Sequence, residues 1–181
     1  MTTPAALHID TAELRDAAET LRAGDRIFLS GTVYTSRDAA HKRIFALLDA
    51  GQPLPYPLRD SVIYYSGATP APEGLPIGSC GPTTSGRMDI YTPRLHDLGL
   101  CATIGKGARS PAVLEALVRN RALYLCAVGG AGALAARSVI SCDVIAFEDL
   151  GCEAVKRLQI RDFPLIVGAD CHGGNLFAPA H

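Results

Sequence analysis

Three cationic side chains stand in sequence settings that suit anion binding. The first, Arg37, lies in the run TSRDAAHKR, in the opening turn of a predicted helix. The helix dipole disfavours a cation there by a few tenths to about 1 kcal/mol. An anionic ligand at that helix end would reverse the balance, because free N–H groups and the guanidinium would then point at one target. A salt bridge to Asp38, or a solvated arginine, is the alternative for this residue taken alone.

The second cation, Arg87, ends the run GPTTSGR. Two glycines in this run let the backbone approach a ligand closely, and three hydroxyl side chains add hydrogen-bond donors. These neighbours are Gly81, Gly86, Thr83, Thr84 and Ser85. Hydroxyls and backbone donors followed by an arginine are typical of a carboxylate-binding nest, although an ordinary polar turn has the same composition.

The third cation, Lys106, lies between two glycines in the run ATIGKGARS. These small neighbours leave room for a ligand to approach the ammonium group. A phosphate-binding loop would need a further glycine upstream and a serine or threonine directly after the lysine, and the run has neither. We therefore exclude a nucleotide site of that kind, and an ordinary loop lysine is the alternative.

The elements that position these residues follow from hydrophobic periodicity and stop signals, which predict an α/β or α+β class with a single domain over residues 1–181. The predicted helices are Thr11–Leu21, Ser36–Ala50, Pro111–Arg119, Ala131–Ser138 and Cys152–Arg157. The predicted strands are Arg26–Ser30, Ser61–Tyr65, Leu123–Val128, Cys142–Phe147 and Leu165–Gly168. Segment 67–86 is predicted to be a loop, and loops of that length are usually functional or disordered.

The composition argues against several function classes. The chain has 181 residues, of which 48% are hydrophobic and 19% charged, as in a globular protein. A net charge of −1 gives no electrostatic basis for binding nucleic acid or an anionic membrane. No apolar stretch approaches the roughly 20 residues of a membrane span. Residues Met1–Asp10 show no basic segment followed by an apolar run, so we expect a cytoplasmic location.

The six cysteines predict no metal site held by this chain. They are widely and irregularly spaced, without a CxxC pair, so they provide no compact thiolate loop; a cluster bound wholly by this chain is the minor alternative. Cys101, Cys126 and Cys142 lie in apolar runs and are interpreted as small core residues in a reducing compartment. Cys171 and His172 are adjacent, but two ligands make no metal site.

Taken together and in order, the three cationic runs are far more specific than any one of them. The stretches GDRIFLSGTVYTSRDAAHKR, GPTTSGRMDIYTP, IGKGARS, and VISCDVIAFEDLGCEAV with DFPLIV resemble the β subunit, or C-terminal half, of the class I iron–sulfur hydro-lyases, fumarase and L-tartrate dehydratase. The resemblance runs from Gly24 to about Val167. It departs from the family's usual pattern at Cys80, where a small residue such as alanine is expected, and in the tail ADCHGGNLF.

The resemblance implies a swivelling β/β/α fold and an active site shared with a partner. The cluster-bearing α subunit, or N-terminal half, would hold a [4Fe–4S] cluster through three cysteines, with an open iron as Lewis acid. The assembly would be a hetero-oligomer, with two α and two β subunits as one arrangement. In this chain, carboxylates of a small C4 dicarboxylate would be bound by Arg37, Arg87 and Lys106. Thr83 would lie beside the carbon that loses its proton, and Thr84, Ser85 and Gly86 would line the pocket.

These roles agree with the chemistry of dehydration. Removing a proton beside a carboxylate adds negative charge to it, so preorganised cations stabilise the transition state more than the ground state. A threonine hydroxyl is a poor base, so Thr83 would relay the proton to the partner or only position the substrate. Asp89 is a candidate helper, or a simple cap. His41, one turn beyond Arg37, is a candidate supporting group, or a satisfied helix histidine.

Two further function hypotheses stay open beside the hydration of fumarate to malate. The same architecture could act on L-tartrate or a mesaconate-type acid. Outside the enzymes, the chain could be a non-catalytic module that binds a carboxylic acid or supports assembly. The presence of all three cations argues against a decayed site of that kind.

Overall fold

Seven strands form one sheet that closes on itself in the computed structural model, which describes residues 6–179. The strands are β1 (Leu7–Asp10), β2 (Arg26–Thr35), β3 (Val62–Tyr64), β4 (Ala102–Gly105), β5 (Leu123–Cys126), β6 (Val139–Ala146) and β7 (Val155–Ala169). Their order is β1–β2–β3–β4–β5–β7–β6, and the sheet closes because β2 also pairs with β7. The mixed α/β class predicted from the sequence is confirmed.

The strands from β1 to β5 are parallel to their neighbours, whereas β7 runs antiparallel to β2, β5 and β6. One row of paired residues crosses the parallel part, from Thr35 to Tyr64, Ile104 and Leu125. Parallel strands end at the same edge, so the segments that follow this row meet there.

Five helices connect or flank the strands in the described part of the chain. They are α1 (Leu14–Ala17), α2 (Asp38–Asp49), α3 (Thr92–Asp97), α4 (Pro111–Asn120) and α5 (Gly132–Ala136). Short 3₁₀ helices at Ser85–Met88 and Glu148–Glu153 complete the set. All of these helices are too short to cross a membrane. The predicted helices over 36–50, 111–119 and 131–138 correspond to α2, α4 and α5.

Two apolar clusters fix the sheet and the helices that carry the site. The larger lies inside the sheet and includes Leu29, Val33 and Ile104, all fully buried. The second packs α2 and α3 against the outer face of the sheet, with Ile44, Leu95 and Met88 among its members. Burial of these side chains is the main favourable term in placing α2, so the start of that helix is held firmly against the strand ends.

The predicted helix over Cys152–Arg157 is wrong. A 3₁₀ helix ends at Glu153, and β7 begins at Val155 and runs for 15 residues. Strand β7 bonds to three other strands, and these long-range partners decide its structure. The first helix is also shorter than the predicted Thr11–Leu21, and β2 extends beyond the predicted Ser30 to Thr35. The sequence pattern does not predict β1, β4 or α3.

Candidate functional site

The segments that follow the parallel strands carry the predicted site residues. Arg37 stands two residues beyond Thr35 in the row of paired residues, and Lys106 stands two residues beyond Ile104. Gly67 lies just after β3, and Gly129 just after β5. The topology therefore brings together residues that are far apart in the chain. The carboxyl edge of parallel strands is a common place for ligands.

Arg37 is the residue that precedes α2, with an extended backbone at φ −124° and ψ −164°. Its Nε lies 3.3 Å from Oε1 of Glu153, and its Nη2 lies 3.8 Å from Oδ2 of Asp38. The contact with Glu153 is an ion pair without a hydrogen bond, so Nε has no hydrogen-bond acceptor among residues 6–179. The guanidinium is held against Gly67, where an added Cβ would stand 2.8 Å from Nη1 of Arg37.

Arg87 reaches the same carboxylate from the other side. It lies in the 3₁₀ helix Ser85–Met88. Its Nε donates to Oδ1 of Asp38 at 3.1 Å, and its Nη2 lies 2.9 Å from Oδ2. Arg37 and Arg87, 50 positions apart, are therefore joined through Asp38. The predicted convergence of these two cations is present in the structure, together with a carboxylate that neutralises part of their charge.

Lys106 joins this group through the backbone. Thr84 forms an isolated parallel β-bridge with Lys106, and the N–H of Ser85 donates to the Lys106 carbonyl at 2.9 Å. The aliphatic part of the lysine passes over Gly129, where a Cβ would lie 3.3 Å from its Cδ. Within residues 6–179 Lys106 forms no salt bridge, so its positive charge is not neutralised by a carboxylate of the described chain.

The run from Thr83 to Gly86 lies along the ends of β3 and β4. The N–H of Thr83 donates to the carbonyl of Tyr65 at 2.7 Å. Thr84 and Gly86 are exposed, and Thr83 is half-buried. Ser85 differs, because its side chain is fully buried and its Oγ accepts from the Tyr124 hydroxyl at 3.0 Å. Thr83, Thr84 and Gly86 are therefore open to a ligand, whereas the Ser85 side chain supports the run from beneath.

His41 supports the turn that carries Arg37. Its Nδ1 lies 2.9 Å from the Arg37 carbonyl oxygen and 2.8 Å from Oγ of Ser36. The ring is fully buried between Tyr65 and Tyr91, with centroid distances of 5.6 and 5.4 Å. This burial lowers the pKa of His41 to about 4. The imidazole is therefore neutral near pH 7 and fixes the backbone of Arg37 without adding charge.

Asp89 has both carboxylate oxygens engaged inside the protein. Oδ1 accepts from Nε of Arg109 at 2.7 Å, and Oδ2 accepts from the backbone N–H of Ser110 at 2.6 Å. Asp89 thus caps the start of α4 and pairs with a buried arginine. The sequence pattern alone assigns no role to Arg109. One weak feature of the sequence could have pointed to Arg109. This arginine stands directly before the Ser-Pro start of a helix and three residues after Lys106.

The cysteines do not form a metal centre. Among residues 6–179, no group of three or more His, Cys, Asp or Glu side chains could hold a metal ion. Cys80 and Cys101 are buried, and desolvation raises the pKa of each thiol to about 11. Such thiols stay protonated at neutral pH, whereas a cluster needs thiolates. Cys80 and Cys101 therefore do not fit as ligands of an iron–sulfur cluster.

The site is an open, cationic surface. Arg87 is 52% exposed, and Thr84 and Gly86 face solvent. The guanidiniums of Arg37 and Arg87, which meet at Asp38, can bind a carboxylate group.

Comparisons with known proteins show which sequences this chain resembles. The family model described as fumarase C-terminus matches residues 2–180. The chain is 39% identical over 154 residues to the class I anaerobic fumarate hydratase of Escherichia coli K12, covering 84% of this chain and 28% of that protein. It is 37% identical over 163 residues to a putative L(+)-tartrate dehydratase subunit beta of Methanocaldococcus jannaschii, covering 87% and 84%. It is 33% identical over 183 residues to the L(+)-tartrate dehydratase subunit beta of E. coli K12, covering 98% and 86%.

Proposed function

Since the chain belongs to the fumarase C-terminus family, we propose that it is the β subunit of a two-part hydro-lyase that acts on a C4 dicarboxylate, with hydration of fumarate to malate as the reaction. The chain spans only 28% of the fumarate hydratases it matches, but 84% and 86% of two tartrate dehydratase β subunits. The partner would be an α subunit that supplies the remainder of the enzyme. We also assign the chain to the swivelling β/β/α architecture, as one domain over residues 1–181 in the cytoplasm.

The observation that carries the proposal is the shared position of Arg37 and Arg87 at one carboxylate. Asp38 occupies a place between two guanidiniums where a substrate carboxylate could bind by similar contacts. Lys106 adds a third positive charge on the neighbouring strand end. A C4 dicarboxylate carries two negative charges, and loss of the proton next to one carboxylate adds electron density to it. Three fixed cations therefore favour the transition state over the bound substrate.

Within this proposal, each residue of the chain has a limited task. Arg37, Arg87 and Lys106 bind and orient the substrate carboxylates. Thr83 lies beside the end of β3 and either positions the substrate or passes the proton to a base on the partner. The partner's [4Fe–4S] cluster would supply the Lewis acid that assists departure of the hydroxyl group. The wide, irregular spacing of the cysteines in this chain supports the assignment of the cluster to the partner.

A second substrate is favoured by the relatives that match along most of their length. Both carry the name L(+)-tartrate dehydratase subunit beta, in one case as a putative assignment. Tartrate carries the same two carboxylates as malate and one more hydroxyl, so the cations described above would bind either acid. Substrate choice then depends on residues that face the hydroxyl groups, many of which would belong to the partner. The remaining candidates are a mesaconate-type acid as substrate and a non-catalytic module for carboxylate binding or assembly.

Turnover by the assembled enzyme tests the proposal. The chain is co-expressed with its cluster-bearing partner under anaerobic conditions, and hydration and dehydration are measured with fumarate, L-tartrate and mesaconate. Arg87→Ala is expected to abolish turnover while assembly is retained. Arg94→Ala is the matched control, because Arg94 is 48% exposed and also pairs with an aspartate, Asp49, away from the site. Absence of turnover on all three acids, or equal activity of wild type and Arg87→Ala, would overturn the proposal.

A further inference from the structure

We infer that Arg109 is a positioning residue that fixes Lys106 relative to Arg87, an inference that rests on the proposed function. The Arg109 side chain is 0% exposed. It stands in the run ATIGKGARS, three residues after Lys106, where the sequence pattern assigns it no role. Its contacts connect the two segments that carry Arg87 and Lys106.

All three guanidinium nitrogens of Arg109 have partners. Nε donates to Oδ1 of Asp89 at 2.7 Å, and Nη1 donates to Oγ1 of Thr103 at 2.9 Å. Nη2 donates to Oγ1 of Thr92, also at 2.9 Å. The group lies over the rings of Tyr65 and Tyr124, with its central carbon 5.4 and 4.7 Å from the two centroids. Because each nitrogen of this buried, charged group is hydrogen-bonded, the guanidinium is held in a single position.

Two of these partners, Asp89 and Thr92, belong to the segment that carries Arg87, whereas Thr103 lies on β4 before Lys106. Asp89 follows the 3₁₀ helix of Arg87 directly, and the Thr92 hydroxyl donates to the Met88 carbonyl of that helix at 2.9 Å. Arg109 itself stands three residues after Lys106. One buried guanidinium therefore ties the turn bearing Arg87 to the loop bearing Lys106.

A second buried contact repeats this connection. The Tyr124 hydroxyl lies 3.0 Å from Oγ of Ser85 and 2.8 Å from the Gly107 carbonyl oxygen. Tyr124 thereby joins the residue two before Arg87 to the residue after Lys106, and Arg109 packs on its ring. Together with the backbone bond from Ser85 to Lys106, these buried connections set the separation of the two cations.

Arg109→Lys is the test substitution, because lysine keeps the charge but cannot reproduce the planar fork that meets Asp89, Thr103 and Thr92 together. In the assembled enzyme we expect kcat/KM to fall on the order of 10- to 100-fold, as for a displaced catalytic group. Arg119→Lys is the matched control. Arg119 also meets an aspartate, Asp97, through Nε and Nη2, at 2.8 and 2.9 Å, but on the exposed face of α4. Its kcat/KM is expected to stay unchanged.

A double-mutant cycle with Lys106→Gln separates positioning from general destabilisation. If Arg109 acts by holding Lys106 in place, then Arg109→Lys in the Lys106→Gln background changes kcat/KM by no more than about twofold. A loss of equal size in both backgrounds would overturn the inference. If Arg109→Lys does not fold, the same cycle is run with Thr103→Val, which removes one acceptor of Arg109 and keeps its ion pair. In that cycle too, a loss of kcat/KM of equal size with and without Lys106 would overturn the inference.

Failure of this inference is distinct from failure of the proposed function. A wild-type assembly that turns over a dicarboxylate, beside an Arg109→Lys assembly of equal kcat/KM, overturns only the positioning role. A wild-type assembly with no turnover on fumarate, L-tartrate or mesaconate overturns the proposed function, and the positioning role falls with it.

Discussion

Arg87 meets Asp38 at two points, with Nε donating to Oδ1 at 3.1 Å and Nη2 lying 2.9 Å from Oδ2. Asp38 is the first residue of α2, where the helix dipole favours a carboxylate. The same carboxylate lies 3.8 Å from Nη2 of Arg37. It is therefore an internal counter-ion for both guanidiniums, and a substrate carboxylate must share the cations with it or displace it.

Asp38→Asn is expected to lower the KM for a dicarboxylate by about two- to fivefold, the range of a partly exposed ion pair. Asparagine keeps one acceptor oxygen for Arg87 but removes the negative charge that opposes substrate. The effect is expected to shrink in high salt, because screening weakens charge–charge terms. Initial rates of the assembled enzyme at two salt concentrations measure it. Asp49→Asn is the control, since Asp49 pairs with Arg94 outside the site. A raised KM for Asp38→Asn would contradict the idea that Asp38 competes with the substrate carboxylate for the two guanidiniums.

Gly67→Ala is expected to weaken substrate binding with little loss of stability. The new Cβ would stand 2.8 Å from Nη1 of Arg37, which is the far end of a flexible side chain and can move away. We expect at least about a tenfold loss of kcat/KM, as for a displaced catalytic group, with a melting temperature close to wild type. Gly105→Ala is the contrast, because its Cβ would overlap the buried Ser85 hydroxyl and approach the Tyr65 ring. The Gly105→Ala variant is expected to lose stability as well. Equal melting temperatures of Gly67→Ala and Gly105→Ala would contradict the assignment of Gly67 to the position of Arg37.

The elements around the site are predictable where the local pattern decides them. Helix α2 carries apolar residues on one face over 12 residues, and it begins at Asp38, two residues after the predicted start at Ser36. The beginning of strand β7 has the local spacing of a helix, but its structure depends on β2, β5 and β6, which are distant in the chain. The spacing of apolar residues over six positions does not show which distant strands will pair with the segment.

The geometry of the site is not predictable from spacing alone. The meeting of Arg37 with Arg87 through Asp38 results from the parallel order of β2, β3 and β4, which the sequence pattern does not specify. The role of Arg109 cannot be predicted from the sequence either, because its contacts depend on the tertiary fold. An arginine is usually exposed, and only the fold shows that Asp89, 20 positions away, pairs with it in the interior.

Acidification is expected to destabilise the protein through two buried histidines. Burial lowers the pKa of His41 and of His96 to about 4 each. The unfolded chain protonates an imidazole near pH 6.5. Between pH 6.5 and 4 the unfolded state thus binds more protons, so the free energy of unfolding falls as the pH falls. The loss by pH 4 is roughly 3 kcal/mol for each ring, at about 1.4 kcal/mol per pKa unit.

Urea unfolding between pH 7.5 and 4.5 measures this dependence. His41→Gln and His96→Gln should each remove a comparable part of it, because glutamine does not titrate. His8→Gln is the control, since His8 lies on the surface in an exposed pair with Asp162. An unchanged pH dependence in both buried-histidine variants would show that other groups cause the loss of stability at acid pH.

Asp89→Ala is expected to cost about 3–5 kcal/mol of stability, because it leaves the buried Arg109 guanidinium without its counter-ion. Asp89 is 12% exposed and Arg109 fully buried, so solvent cannot replace the lost carboxylate. The cap on the Ser110 N–H is lost with it. Asp97→Ala is the comparison, since it breaks an exposed pair with Arg119 that is worth at most about 1 kcal/mol. Urea midpoints of the isolated chain measure both, and similar losses for the two variants would contradict a stabilising role for the buried Asp89–Arg109 pair.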